Sequence, residues 1–459
     1  MIVSMNSTQK FAEYIVNSSF EMLDMATIQR VKIRIADSIG VLIGGANGPG
    51  NEAIKDLLLE WEGKQEATIL VHGGKVPMHN AAFINSLMLR SFDFEAIDAE
   101  AIGGRTYPAH ITGTTVPVML ACGEHLKASG KDLVTALAVG DDLVARLVSA
   151  SGFDVHDCYD NTGTANCLGA VAVAGKLLNL EPRQLVDAFG LGLNMCGGTM
   201  ENVFEATWAF KLPIALSARN GIIAAQIAKR DLRGVADPIS GTRGFFDMFS
   251  KAPDYSQLFI DIGKVFFGDT VIKPWSACRG THCSIEATIE ATGGAKYEPD
   301  EIESIVIKVS PHTKSFVGQD FTFGTTITAA GAFSIRFTVA TAILYGGVRP
   351  EHYTAERMTD LKLKMMLNKL EVLDCNIGRS SIVEICLVDG TMLVGEVQPP
   401  ALGNIFEKPL SNEQIFEKMI CNVKYSNTIS LKNAEKAFSL VLDLEELETI
   451  EPLIALLHK

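Results

Sequence analysis

The chain is short of positive charge: its 40 Lys and Arg residues face 54 Asp and Glu, a formal net charge of -14 at pH 7. A nucleic-acid binder needs a basic face to displace counterions from phosphates, so that class is excluded. A small anionic ligand is not excluded, because it answers to a few local cations rather than to the total. No low-complexity tract occurs, and hydrophobic residues at 47% against charged residues at 20% exclude a disordered chain. Apolar runs are broken by charges well short of the roughly 20 residues that span a bilayer, and residues 1–10 show no basic region followed by an apolar core. No membrane partner is expected. Cysteines are nine, an odd number, scattered through apolar segments such as those of Cys122, Cys167 and Cys386. That distribution suits buried, reduced thiols and a cytoplasmic home rather than a disulfide framework. A Gly-rich nucleotide fingerprint in the right context, a P-loop and a repeat of fixed period are also missing, so no organic cofactor is expected.

What the chain does have is length and helical periodicity. Its 459 residues exceed what one hydrophobic core usually organises, so two domains are the default. Over residues 27–43 the apolar positions Ile28, Val31, Ile35, Ile39 and Leu42 recur at helical spacing. Similar patterns predict helices over 80–92, 115–128, 131–149, 167–180, 182–195 and 215–232. Many of their positions are Ala or Gly, as in Gly169-Ala-Val-Ala-Val-Ala-Gly175, and small residues let helix axes approach closely.

After about Phe266 the texture changes. Ile305, Ile307 and Val309 alternate along an expected strand over 302–310, and 381–397 reads as two strands joined at Asp389-Gly390. Helices are expected between them over 332–345 and 355–370. This makes a smaller α+β domain over 267–403. Helical patterning returns from Asn412, with further helices expected over 440–447 and 450–457, and the tail is expected to pack back on the first domain.

Several stretches resemble the MmgE/PrpD family, whose members include 2-methylcitrate dehydratase, cis-aconitate decarboxylase and iminodisuccinate epimerase. Asn80-Ala-Ala-Phe-Ile-Asn-Ser-Leu-Met-Leu-Arg-Ser-Phe-Asp-Phe94 is similar to the family helix that runs into an Asp-Phe-Asp-Asp-Thr sequence. His110-Ile-Thr-Gly-Thr-Thr-Val-Pro-Val118 resembles its His-Pro-Ser/Gly segment. Thr162-Gly-Thr164, Lys211, Gly241-Thr-Arg-Gly-Phe-Phe246, Lys273-Pro-Trp-Ser-Ala-Cys278 with His282, and Phe333-Ser-Ile335 follow in family order. The resemblance implies a mostly α fold: a large all-helical domain from both chain ends (1–266 completed by 404–459), an α+β lid (267–403), an active site in the cleft, and a homodimer.

It also implies small polycarboxylate substrates, which call for cations in a cleft and a base near a C–H bond acidified by a carboxylate. His110 precedes a predicted helix, near a carboxylate-binding N-terminus, and matches the family's catalytic His. Lys273 and His282 match basic residues of the family site; Lys273, beside Pro274 and Trp275, could be lifted from water and aimed at a carboxylate, and Arg279 could grip one bidentately or sit as a surface charge. Lys211 interrupts an apolar run and matches a family Lys, so it needs a partner or a substrate unless it snorkels to the surface. Asp93, Arg105 and Tyr107 lie on the segment leading to His110. Asp93 matches the first family Asp, and the Tyr107 phenol could serve as a second acid or base or pack in the core. Thr162 and Gly163 open a helix whose free N–H groups could receive an anion, with capping by Thr162 the structural alternative. Cys278, His282 and Cys283 invite a zinc reading, but a structural site wants four ligands at paired spacings, so no metal is expected and Cys278 reads as a buried thiol.

The chain departs from the family at site positions. Asp-Phe-Asp-Asp-Thr-His becomes Asp93-Phe-Glu-Ala-Ile-Asp98, the His two residues before Thr-Gly-Thr becomes Asp160, the Pro beside it Asn161, and a His past the family Lys becomes Ile214. The first expectation is a hydro-lyase like 2-methylcitrate dehydratase. An epimerase of a dicarboxylate, a decarboxylase and a non-catalytic binding relative stand as alternatives.

Overall fold

Helices approach one another where side chains are smallest. A Cβ on Gly169 would meet Val144 Cγ2 at 2.2 Å, and one on Gly140 would meet Val173 Cγ2 at 2.3 Å, so the helices Gly130–Ser151 and Ala165–Leu177 pack nearly backbone to backbone. Around this pair lie Met25–Gly45, Met78–Arg90, Thr112–Leu126, Pro182–Leu193 and Leu212–Ala228. Their starts are written locally: Asp24 accepts from Thr27 N, and Ser129 with Asp132 forms a reciprocal capping box. The computed structural model describes residues 5–321 and 326–458, so residues 1–4 of the opening stretch lie outside the described residues. Helices hold 55% of it, and the protein is mostly α.

Two hydrophobic cores form. The larger draws on residues between 11 and 272, with Ala329, and takes in 415–457 from the tail. The smaller draws on 277–385, with Phe92. Its sheet runs Leu370–Asp374, Ile302–Val309, Ser381–Leu387, Met392–Val397, the first pair parallel and the rest antiparallel. Ile305, Ile307 and Val309 face inward as the alternation requires, and helix His282–Thr292 lies so close that a Cβ on Gly395 would meet Ala287 O at 2.0 Å.

The structure corrects several expected elements. The first half is not all helix: short strands pair 67–68 with 75–76, and Ile97–Glu100 sits between Thr106–Tyr107 and Asp269–Val271. Segments of two to four residues are too short to carry a period. The helix expected over 332–345 begins at Ile335, where the Ser334 side chain accepts from Phe337 N, and a separate turn of helix occupies Ile327–Ala332. That expected over 355–370 breaks at Asp360, which caps Lys362 N, and the chain then enters the parallel strand Leu370–Asp374. In the tail, 440–447 holds the end of Leu431–Leu442 and a short 3-10 turn, while the α-helix within 450–457 is only Glu451–Ile454. Among the described residues no helix is long and apolar enough to cross a membrane. All nine cysteines are free; Cys122, Cys167 and Cys278 are buried, but Cys386 is only half-buried and Cys158 is exposed.

The tail is tied to the first half by charge as well as by packing. Lys418, on helix Asn412–Ser426, donates to Asp37 Oδ1 at 2.6 Å and to Phe94 O at 2.9 Å, both side chains being buried. Lys418→Met strands Asp37 without a partner and is expected to cost about 3–5 kcal/mol of unfolding free energy. Urea denaturation checks this, with Asp37→Leu/Lys418→Met recovering most of the loss; a neutral single variant contradicts it.

Candidate active site

Helix Met78–Arg90 ends on a buried Arg, and the chain then turns sharply, with Asp93 in the left-handed region at φ 48°. Short acidic side chains tolerate that conformation. The turn brings Asp93 and Glu95 back against the guanidinium of Arg90: Nη1 donates to Glu95 Oε1 at 2.6 Å and to Asp93 Oδ1. From beyond strand Asp269–Val271, Lys273 Nζ donates to Asp93 O at 2.8 Å and to Asp93 Oδ1 at 3.0 Å. Two carboxylates thus lie between two cations, all buried. Burial pushes the Asp93 carboxyl up, but Lys273, Arg90 and His110 more than offset it and hold it below the usual range. Glu95 is likewise held well below the usual range, against its own burial, by Arg90 and His110.

This cluster decides the state of His110, whose Nδ1 lies 2.8 Å from Glu95 Oε1. An ionised carboxylate only accepts, so Nδ1 carries the proton and the lone pair is on Nε2. Nε2 lies 3.8 Å from Asp93 Oδ1, too far for a hydrogen bond. Burial and the charge of Arg90 lower the His110 pKa below its ordinary value, with Glu95 pulling the other way. The ring is 13% exposed and lines a pocket of about 660 Å³. Arg90, Tyr107 and Thr162 line the same pocket from the first half; Arg279, Ser284 and Ser381 do so from the second. Arg279 Nε is 3.5 Å from Asp98 Oδ2.

The MmgE/PrpD N-terminal domain model matches residues 9–258, and the MmgE/PrpD C-terminal domain model matches residues 275–444. The chain belongs to the MmgE/PrpD family. That is a dehydratase- and lyase-like enzyme family, generally of hydro-lyases and isomerases. Comparison with curated proteins gives no match.

Of the residues matched to MmgE/PrpD site positions or proposed beside them, His110, Tyr107, Thr162 and Arg279 line the pocket, with Asp93 directly under His110. Lys273 is aimed at Asp93 rather than at the pocket. His282 is buried apart from the lining, with Nε2 3.1 Å from Ala277 O; burial, then Arg279 and Lys273, push its pKa well down. Lys211 neither snorkels nor reaches the pocket: at 1% exposure it donates to Pro49 O and Asn51 Oδ1, both at 2.7 Å, and to Ser91 Oγ at 3.2 Å. Its burial pushes the ammonium pKa down to about 7. Arg105 is exposed at the turn between Ile97–Glu100 and Thr106–Tyr107, off the lining.

The protein's own carboxylates take both turns read as anion sites: Asp160 caps the 3-10 turn Asn161–Gly163 that precedes helix Ala165–Leu177, and Asp269 takes the first N–H of helix Thr112–Leu126. Asp160 Oδ1 accepts from Thr162 N at 2.9 Å and Thr162 Oγ1 at 2.8 Å, while Gly163 N donates to Asp160 O. Gly163 packs against Gly197 O, with no room for a Cβ. At the other helix, Asp269 accepts from Ile111 N, Thr112 N and Thr112 Oγ1 at 3.0–3.3 Å, which fixes the backbone next to His110. Burial pushes Asp269 up to about 7, with Asp141 adding to the shift. As for metals, Asp93, Glu95 and His110 converge, but Arg90 and Lys273 already take both carboxylates. Cys278 is a buried thiol pushed up to about 12.

Arg90, Glu95 and Asp269 were not singled out from sequence. A buried Arg closing an apolar helix, with acids three and five residues later, was the readable signal; Asp269 had none, being 157 residues from Thr112. Glu95→Gln is expected to lower unfolding free energy by about 3–5 kcal/mol at pH 7. Because folding depresses this carboxyl, its contribution is complete above about pH 5 and declines as pH falls below about 4. Urea unfolding at pH 7 and pH 3.5 should show the gap between wild type and variant narrowing in acid; a constant gap contradicts the ionised assignment.

Proposed function

We propose that His110 Nε2 removes a proton from a carbon beside a carboxylate of a small di- or tricarboxylic acid, and that the reaction is loss of water, as in 2-methylcitrate dehydratase. The observation that carries this reading is the bare Nε2, set by Glu95, on the wall of a pocket that Arg279 and Arg90 also line. The pocket volume suits a small acid. Guanidinium groups that bind the carboxylate also stabilise the negative charge that grows on it as the proton leaves. Tyr107 lines the same pocket and would protonate the departing hydroxide. No step needs an organic cofactor or a metal at this centre.

One tuned base favours elimination over epimerisation, which needs a base on each face of the substrate. Epimerisation of a dicarboxylate is the second reading, favoured by Tyr107 as a further proton carrier. We read the two cores as a helical domain, 1–266 with 404–459, and an α+β lid, 267–403, with the substrate between them. A cytoplasmic homodimer completes the proposal.

Proton NMR in deuterated buffer with 2-methylcitrate, cis-aconitate and iminodisuccinate stereoisomers separates the readings. A new alkene with loss of water supports the hydro-lyase; deuterium beside a carboxylate without an alkene supports the epimerase; silence on all three overturns the substrate class. On the active substrate, His110→Asn should lower kcat roughly 10²- to 10⁴-fold. A base works only when neutral, so wild-type kcat/KM should fall with acid along a limb centred below 6.5, the direction in which burial moves His110.

A further inference from the structure

Away from the base, at the exposed rim of the same pocket, three metal-ligand side chains meet from distant parts of the chain. Asp154 and His156 lie on the loop after helix Gly130–Ser151, and His312 lies on helix Pro311–Val317. His156 Nδ1 is 3.0 Å from Asp154 Oδ1, His312 Nε2 is 3.2 Å from Asp154 Oδ2, and the three ligand atoms lie within 4.8 Å of one another. The side chains are 54%, 37% and 58% exposed in the order Asp154, His156, His312, so an ion reaches them from solvent.

One arrangement of protons at His156 calls for a cation. Ser315 Oγ has one proton and lies 2.8 Å from His312 O. A hydroxyl turned toward Nε2 donates to it and leaves Nδ1 protonated, whereas with its proton on His312 O it accepts at its 3.0 Å contact with His156 Nε2, which then carries the hydrogen. A singly protonated His156 then has a bare lone pair on Nδ1, 3.0 Å from Asp154 Oδ1, which already accepts the His156 backbone N–H at 2.9 Å. Lone pair facing lone pair at that distance is repulsive unless a positive charge lies between them, either a second proton on the ring or a metal ion. A hydrogen-bonded Nε2–H behind a lone pair is also how a metal-binding imidazole is oriented. Ligand atoms about 2.0–2.1 Å from a tetrahedral ion sit about 3.4 Å apart, against 3.0 Å from His156 Nδ1 to Asp154 Oδ1 and 3.2 Å from His312 Nε2 to Asp154 Oδ2.

We propose that Asp154, His156 and His312 bind one borderline divalent transition-metal ion, of which Zn²⁺ is the type, with water in the fourth position. Two imidazoles and one carboxylate select such an ion over Mg²⁺ or Ca²⁺, which favour oxygen. The loop carries Phe153 of the larger core and the helix carries Val317 of the smaller, so the ion ties the two cores together across the pocket rim. The site is separate from the His110 centre, and its test needs no turnover.

The test is calorimetry of the full chain, stripped with chelator and titrated with Zn²⁺ at pH 7.5, with Co²⁺ absorption reporting the ligands. One equivalent should bind, with affinity reduced roughly tenfold or more in His156→Ala and His312→Ala, and also in Ser315→Ala, which keeps every ligand but loses the support behind His156. All three substitutions are at exposed side chains, and unchanged circular dichroism melting shows that the variants fold. Cys158→Ser, at the nearby exposed thiol, should bind normally and the Co²⁺ spectrum should lack a thiolate band. No binding, binding indifferent to His312→Ala, or binding lost in Cys158→Ser overturns the proposal; in the first case a proton on His156 Nδ1 accounts for the contact.

Discussion

Two buried carboxylates held between two buried cations are the constraint on which the candidate site around His110 depends. Asp93 and Glu95 could not remain ionised away from water without Arg90 and Lys273, and removing any one member leaves a charge stranded in low dielectric. The cluster draws its parts from the end of one helix, the turn after it, and the segment following strand Asp269–Val271. It therefore fixes the path of the chain on both sides of His110. It also fixes chemistry, since an ionised Glu95 dictates which imidazole nitrogen carries hydrogen.

Backbone N–H groups near the pocket are already engaged. Helix N-termini are natural anion sites, yet those beginning at Thr112 and Ala165 are preceded by turns filled by Asp269 and Asp160. The guanidinium groups of Arg90, Arg279 and Arg379 line the pocket wall instead. Asp160 is the acceptor that closes the turn at Thr162 on itself.

Much of the fold was legible because long amphipathic helices repeat their pattern many times, and the hairpin at Asp389-Gly390 announces its own turn. Strand Leu370–Asp374 was missed because it follows directly on helical residues and offers only Leu370 and Val372 as buried alternates. Within the site, His110 was readable from its local motif. The destinations of Lys211 and Lys273 were not: sequence shows that a buried lysine needs acceptors, but Pro49 and Asn51 in one case and Asp93 in the other are distant partners that only the tertiary structure supplies. The His156–His312 pairing across Asp154 is hidden for the same reason.

Glu95 fixes His110 as a neutral ring protonated on Nδ1 with Nε2 bare. Two-bond proton–nitrogen NMR spectra of protein labelled with ¹⁵N-histidine at pH 7.5, with His110→Gln assigning the resonance, read this directly. A pyrrole-type shift at Nδ1 and a pyridine-type shift at Nε2 are expected, with the pattern collapsing in Glu95→Gln. An Nε2–H tautomer or an imidazolium at that pH would contradict it.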